Sequence, residues 1–335
     1  MKSLKIVHCA NFSESKFGSV FYSIDRKMSN GLIRNGHFVY DFSYREVAKN
    51  STIFKSKKFG VKHVNNDLIK TVKNINPDLL LLGHSELIED AALLKIKQLF
   101  PKIKIAMWWV DWIFNLKNIV SRLELIDNFF ITTDPEELKK ININESIIKK
   151  CSYLPNFCDN SIDTFKAFEQ KNHKYDLLFI GRHDKKREVF INFLKETFND
   201  LRVGLFGLDK SSIVNGSEYL DTISSSKIGI NYSRNNDISL YSSDRIIHLI
   251  ANGVLAFSPK IPNFDKIFTN DEIVYFEDNK DFEKKVRYYL NNPEQREKIA
   301  KNGWEKAHKY FSEKVIATNL VDKIFLNNKG EKCQK

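Results

Sequence analysis

Residues 242–258, SSDRIIHLIANGVLAFS, collect side chains suited to holding an anion. Ser242, Ser243 and Asp244 are helix-capping types, and Gly253 is a helix stop, so the pattern predicts a short capped helix followed by a small apolar strand. A helix start carries N–H groups without intrahelical partners and a partial positive charge, a combination that can hold a phosphate. Arg245 falls in the first turn and His248 three residues on, so both project from one side, adding a permanent cation and a hydrogen-bonding ring. Glycine-ended helices also occur in α/β proteins of every function, so this segment has to be read with the rest of the chain.

Other chemistry-bearing residues fall just after apolar runs, where open α/β sheets place their ligands. After YDLLFIG come Arg182 and the charged run containing Lys185, Lys186 and Arg187. A short basic run is also the composition of a solvated face. Asn231 and Ser233 close the run GINYS and can frame the same pocket or simply shape a turn. In AMWWVDW, Asp111 follows an apolar strand among Trp108, Trp109 and Trp112. Burial beside indoles would raise its pKa towards proton acceptance; a helix-capping Asp111 among core tryptophans is the competing expectation. His84, with Glu86, follows the LLLLG run and is the alternative base, or else a structural histidine. Gly18, before Ser19, sits in the first strand-to-helix loop, where a small residue permits close approach of a ligand.

Several chemistries lack their signatures. There is no GxGxxG for a dinucleotide cofactor, no HExxH and no acidic pair in a metal-binding context, so neither cofactor nor metal is expected. Cys9, Cys151, Cys158 and Cys333 form no CxxC pair or zinc spacing, which fits packing residues in a reducing, cytoplasmic setting. The opening MKSLKIVHCANF is too short in its apolar run for a signal peptide, and no stretch approaches a membrane span. The net charge of +11 suits nucleic acid, an anionic membrane surface or anionic substrates alike. The lysines are scattered, with no basic helix interleaved with stacking aromatics, which argues against nucleic acid. Codon bias towards Lys, Asn, Ile and Phe would by itself account for much of the composition.

The elements that must position these residues alternate between short apolar runs and longer amphipathic ones, as in parallel sheets with crossover helices. In the first half, 4–9, 38–42, 79–82, 103–109 and 129–132 read as strands, with helices ending at Arg34 and spanning 66–74. The rhythm lapses where Asn, Asp and Lys cluster, then resumes with strands at 176–181, 202–206, 228–232, 254–258 and 273–276 and helices at 188–197, 217–224, 280–290, 293–307 and 312–326. Chain length favours two cores. The division expected is 1–156, a linker at 157–173, 174–311, and a helix and loose polar tail at 312–335 that can pack back on the first half.

The wording of the second half resembles GT-B glycosyltransferases, in particular their CgeB-type members. The matching segments are YDLLFIGR (175–182), GINYS (229–233), SSDRIIHLIANGVLAFS (242–258) and IVYFEDNKDFEKKVRYYLNNPEQREKIAKNGWEKAHKYFS (273–312), with fainter echoes at 132–140 and 152–157. The resemblance implies two Rossmann-like domains facing across a cleft, the second gripping a nucleotide-sugar donor through Arg182, Lys186, Arg187 and Arg245. It further implies metal-independent transfer to a surface-glycan, lipid-linked or protein acceptor by an enzyme that is cytoplasmic or peripheral at the inner membrane. His248 stands where such families commonly carry a ribose-binding glutamate, and Leu240 where retaining members carry an upstream acid. A non-catalytic carbohydrate-binding protein and a sugar-nucleotide epimerase are the alternatives on the same architecture.

Overall fold

The computed structural model describes residues 2–326, apart from the side chains of Lys117 and Asn118. The polar tail read at 327–335, with Cys333, lies outside the described residues. The described residues divide into two compact units, 2–155 with 313–326, and 156–312.

Unit 1 is a six-stranded parallel sheet in the order β2-β1-β3-β4-β5-β6. Its strands are β1 (Lys5–Ala10), β2 (Phe38–Ser43), β3 (Leu79–Leu82), β4 (Lys104–Trp109), β5 (Asn128–Ile131) and β6 (Cys151–Tyr153). Its helices are α1 (Ile24–Arg34), α2 (Tyr44–Asn50), α3 (Val61–Ile75), α4 (Asp90–Leu99), α5 (Val120–Leu125) and α6 (Glu145–Ile148). The run LLLL of β3 is wholly buried, as a central parallel strand covered on both faces must be. Ser23 caps α1 by accepting the Arg26 N–H, and Asn35-Gly36 ends it. The central positions of the sheet pack on Val64, Leu68 and Val72 of α3 and Leu93 and Ile96 of α4, forming one apolar core.

Unit 2 is a five-stranded parallel sheet in the order β11-β10-β9-β7-β8. Its elements are β7 (Tyr175–Ile180), α7 (Lys185–Thr197), β8 (Val203–Phe206), α8 (Ser217–Ser224), β9 (Ser226–Ile230), α9 (Arg245–Ala251), β10 (Leu255–Pro259), β11 (Val274–Phe276), α10 (Asn279–Asn291) and α11 (Pro293–Tyr310). The remaining helix, α12 (Glu313–Phe325), belongs to unit 1 and packs on α1, where Arg34 pairs with Glu313 at 2.7 Å.

Three local expectations change. Residues 157–173 are not a linker: Asp159, Asp163 and Ala167 are buried in unit 2, and the Ala167 N–H donates to Asn252 O. Their polar composition reads as loop because Asp159 and Asp163 are bonded to the Asp159, Ser161 and Asn252 groups around them and not to solvent. Helix α7 starts at Lys185 and not at 188, because Asp184 caps it by accepting the Lys186 N–H at 3.0 Å. Arg187 therefore lies inside the first turn. Helices α2 and α4 and strand β6 are short or weakly patterned and were not anticipated.

Candidate functional site

In unit 2, two arginines meet at the carboxyl end of β7. Arg187 is set by the first turn of α7 and Arg245 by the first residue of α9; they are 5% and 8% exposed. Arg245 Nη2 and Arg187 Nη1 lie 2.8 and 2.9 Å from the point a Cβ on Gly181 would occupy, so a side chain there would displace the guanidinium groups. Both guanidinium groups also lie against the ring of buried Phe179, 4.8 Å (Arg245) and 5.7 Å (Arg187) from its centre.

Their partners are all neutral. Arg245 Nε donates to Ile180 O, and Nη1 to Tyr232 O at 3.3 Å. Arg187 Nη2 donates to Arg182 O at 2.6 Å, while its Nε has no hydrogen-bond partner among the described residues. Among the described residues neither arginine forms an ion pair. Burial, then the neighbouring Arg187 charge, pushes Arg245 down to about 10; burial also lowers Arg187. Asp184 and Asp244 oppose these shifts from a distance, but neither pairs directly with the arginines, and two like charges held together out of water remain costly unless an anion joins them. The loops around them are fixed: Asn231, fully buried, donates to Ser242 Oγ and Ser258 Oγ at 3.0 and 3.1 Å, and Ser233 Oγ accepts the Ser243 N–H. Beside the pair, Arg182, His183, Asp184, Arg187 and Lys195 line a cavity of about 130 Å³. A second, of about 470 Å³, is lined by Lys186, Tyr232, Arg234, Lys260 and Glu277 among others.

In unit 1, His84 and Asp111 leave the carboxyl ends of the adjacent strands β3 and β4. The His84 ring stacks on Trp109 at 4.2 Å, and its Nε2 accepts the Val110 N–H at 3.4 Å. Burial lowers its pKa, so the ring is neutral at pH 7, and the lone pair on Nε2 is already engaged. Asp111 Oδ1 accepts the Trp112 N–H at 2.7 Å and Oδ2 the Asn115 amide at 3.3 Å, leaving each oxygen room for another donor. Asp111 thus shapes its own turn, yet it is the more available proton acceptor of the two.

The two-sheet fold belongs to a known architecture. Residues 182–322 match the Glycosyl transferase-like family. Similar solved structures include AviGT4, a glycosyltransferase involved in avilamycin A biosynthesis (TM-score 0.62, 12% identity, 96% of this chain and 97% of that one). Sucrose-phosphate synthase from Thermosynechococcus elongatus gives a TM-score of 0.61 at 12% identity, over 96% of this chain and 98% of that one. Anabaena Alr3699/HepE, solved with UDP and glucose, gives 0.58 at 10% identity, over 95% and 98%. This chain has the GT-B glycosyltransferase fold. A curated relative, tRNA modification GTPase MnmE of Buchnera aphidicola subsp. Cinara cedri, is 29% identical over 182 residues, 52% of this chain. The chain spans 38% of that protein's length and carries no Gly-Lys pair of a phosphate-binding P-loop.

Within the GT-B fold, the sequence-derived residues separate into groups. Arg187 and Arg245 are brought together, with Asn231, Ser233 and Ser243 in the loop network behind them. Arg182 and Lys186 are exposed on the rims of the two cavities. Gly18 lies in an open turn of unit 1, with φ +82° and no atom within reach of a Cβ. His248 departs from expectation: it is 3% exposed, faces Asp163 with Nδ1 3.4 Å from Oδ1, and meets Tyr219 edge-on. Helix α9 differs too, since Asp244 makes no side-chain cap and the Ile246 and Ile247 N–H groups donate to Ser243 O and Asp244 O. Backbone carbonyls thus engage these first-turn amides, and the guanidinium groups are the full charges of the site. Among the described residues no cluster of metal-ligating side chains occurs, and no helix is long and apolar enough to cross a membrane.

Two contributors escaped the sequence reading. Phe179, the platform for both arginines, is one apolar residue among several in YDLLFIG. Asp25, in the first turn of α1, accepts the Asn11 N–H at 3.2 Å and lies near Gly83; burial pushes it up to about 7. Its only sequence signal is an acid at a helix start, which usually marks capping.

Proposed function

We propose that this protein transfers a sugar from a nucleotide-activated donor to an acceptor hydroxyl, with unit 2 holding the diphosphate and unit 1 recognising the acceptor. The observation that carries this reading is the buried pair Arg187 and Arg245, which meet beside Gly181 and form no direct ion pair among the described residues. A diphosphate brings the negative charge that relieves their repulsion and restores their ordinary basicity.

In the transfer step the acceptor oxygen attacks the anomeric carbon, the bond from that carbon to the diphosphate oxygen breaks, and the acceptor proton passes to a carboxylate. Asp111 is the candidate for that base. As the bond breaks, negative charge grows on the diphosphate, and pre-positioned guanidinium groups stabilise it without reorganisation. They supply this charge themselves, so the reading is of metal-independent transfer. HepE, solved with UDP and glucose, supports a uridine nucleotide as the first donor to try. The acceptor is a surface glycan, a lipid-linked sugar or a protein, the enzyme working in the cytoplasm or at the membrane face.

The test is titration calorimetry with UDP, GDP, TDP and CMP and their hexose conjugates, followed by product analysis. One conjugate is expected to bind and be slowly hydrolysed or transferred, equally well with EDTA present. Asp111→Asn should keep donor binding and lose transfer. Isomerised donor would establish the epimerase alternative, binding without turnover a non-catalytic binding protein, and no heat with any of them would end the proposal.

A further inference from the structure

The segment between α2 and α3 is a small closed loop that holds apolar side chains out in water. Ser56 N donates to Thr52 Oγ1 at 2.9 Å, Lys55 N to Thr52 O at 3.0 Å, and Gly60 N to Ser56 O and Lys57 O, both at 3.2 Å. At its base Gly60 sits so close to α2 that a Cβ would fall 1.9 Å from Ala48 O. The backbone is therefore satisfied and anchored, and the tip is a built projection. From it Ile53 stands 95% exposed, Phe54 84% and Phe59 73%. Lys55, Lys57 and Lys58 alternate with them in the open, Lys62 follows, and residues 51–62 contain no acid. Another exposed aromatic of unit 1, Phe17, is 98% exposed on a loop tied to α2 by the Ser15 hydroxyl, which donates to Glu46 at 3.2 Å.

We infer that the loop at residues 51–60 docks unit 1 on an anionic lipid bilayer. Isolated exposed apolar residues need no explanation, but three on one ten-residue loop, two of them adjoining a lysine, form a patch. Large apolar side chains enter the boundary between headgroups and acyl chains while lysines reach the lipid phosphates. The positive charge of residues 51–62 is complementary to an anionic surface. A protein groove would be expected to supply acids to these lysines as well. A single strand of nucleic acid needs a basic groove lined by stacking faces, whereas this tip is a convex projection led by Ile53, which has no such face. The inference stands apart from the donor site, which uses none of these residues.

The full-length protein, without nucleotide, is sedimented with phosphatidylcholine vesicles and with vesicles in which about a third of the lipid is phosphatidylglycerol. Binding is expected to the anionic vesicles, to be at least roughly tenfold weaker on the neutral ones, and to fall with salt. Replacing Lys55, Lys57 and Lys58 by Gln should weaken it on the order of 100-fold. The triple variant Ile53→Ser, Phe54→Ser, Phe59→Ser should weaken it at least about tenfold with little change in melting temperature, since these side chains are largely exposed and belong to no core cluster. Undiminished binding by that variant, equal binding to neutral vesicles, no vesicle binding at all, or tighter binding to single-stranded polynucleotide would each overturn the inference. A failed calorimetric screen with nucleotides would leave it standing.

Discussion

The carboxyl ends of the two sheets handle buried charge in opposite ways. In unit 1, burial and then Arg26 push His8 down to about 3, so its ring is neutral. Nε2 accepts the Trp108 indole N–H at 3.3 Å, which leaves the hydrogen on Nδ1 for Ser29 Oγ at 2.8 Å. Ser29 donates on to Asp41, and Asp41 pairs with Arg26 at 2.7 Å. Every member of that chain finds its complement within the protein. In unit 2, Arg187 and Arg245 are buried with only carbonyl oxygens as partners. A satisfied polar network rigidifies its surroundings, whereas uncompensated like charges keep binding energy in reserve for a ligand of opposite sign.

The comparison breaks first if the arginines prove ordinary. Arg245→Ala is expected to weaken nucleoside diphosphate binding about 100-fold, the size usual for removing one member of a buried charge contact, as read by calorimetry. Its effect on the stability of the unliganded protein should be much smaller, because a repulsion disappears with the hydrogen bonds. His8→Ala should do the reverse. Stranding the Trp108 N–H and the Ser29 hydroxyl beside a new cavity should lower unfolding stability by about 2–3 kcal/mol in urea titrations, with nucleotide affinity unchanged.

The smallest expected effect sharpens unit 1. Asp25 titrates near 7 in the folded protein against 3.8 for an unperturbed carboxyl, so the native state holds the proton more tightly. Its contribution is complete below about pH 4 and is lost as pH rises through 7, since only the unfolded chain releases the proton in that window. Asp25→Asn keeps an acceptor for the Asn11 N–H and removes the titration. The stability of the wild type relative to this variant should therefore decline by on the order of 1 kcal/mol between pH 4.5 and 7.5, allowing for partial solvation. No decline would mean that the carboxyl is hydrated.

Much of this architecture is legible in the residues. The buried run Leu79–Leu82, the Asn35-Gly36 stop and the helix at Ser217–Ser224 are local features, and local pattern places them. The same pattern nominates Arg187, Arg245, Asp111 and His84, because ligand-facing residues follow strands. It misplaces His248, whose position three residues after Arg245 puts it on the same side of an ideal helix. The surroundings of α9, all of whose residues are buried, turn that side partly towards Asp163 and Tyr219.

The sequence by itself determined a pair of parallel sheets, their strand boundaries to within a few residues, and a supply of cations at strand ends, since hydrophobic period and glycine stops act over a few neighbours. Only tertiary structure decided which cations meet. Arg187 and Arg245 belong to different helices and converge because Phe179 and Gly181 leave room for exactly such a contact on the strand between them. Burial, and the charge left without a partner by it, depends on contacts between distant segments that no local pattern encodes.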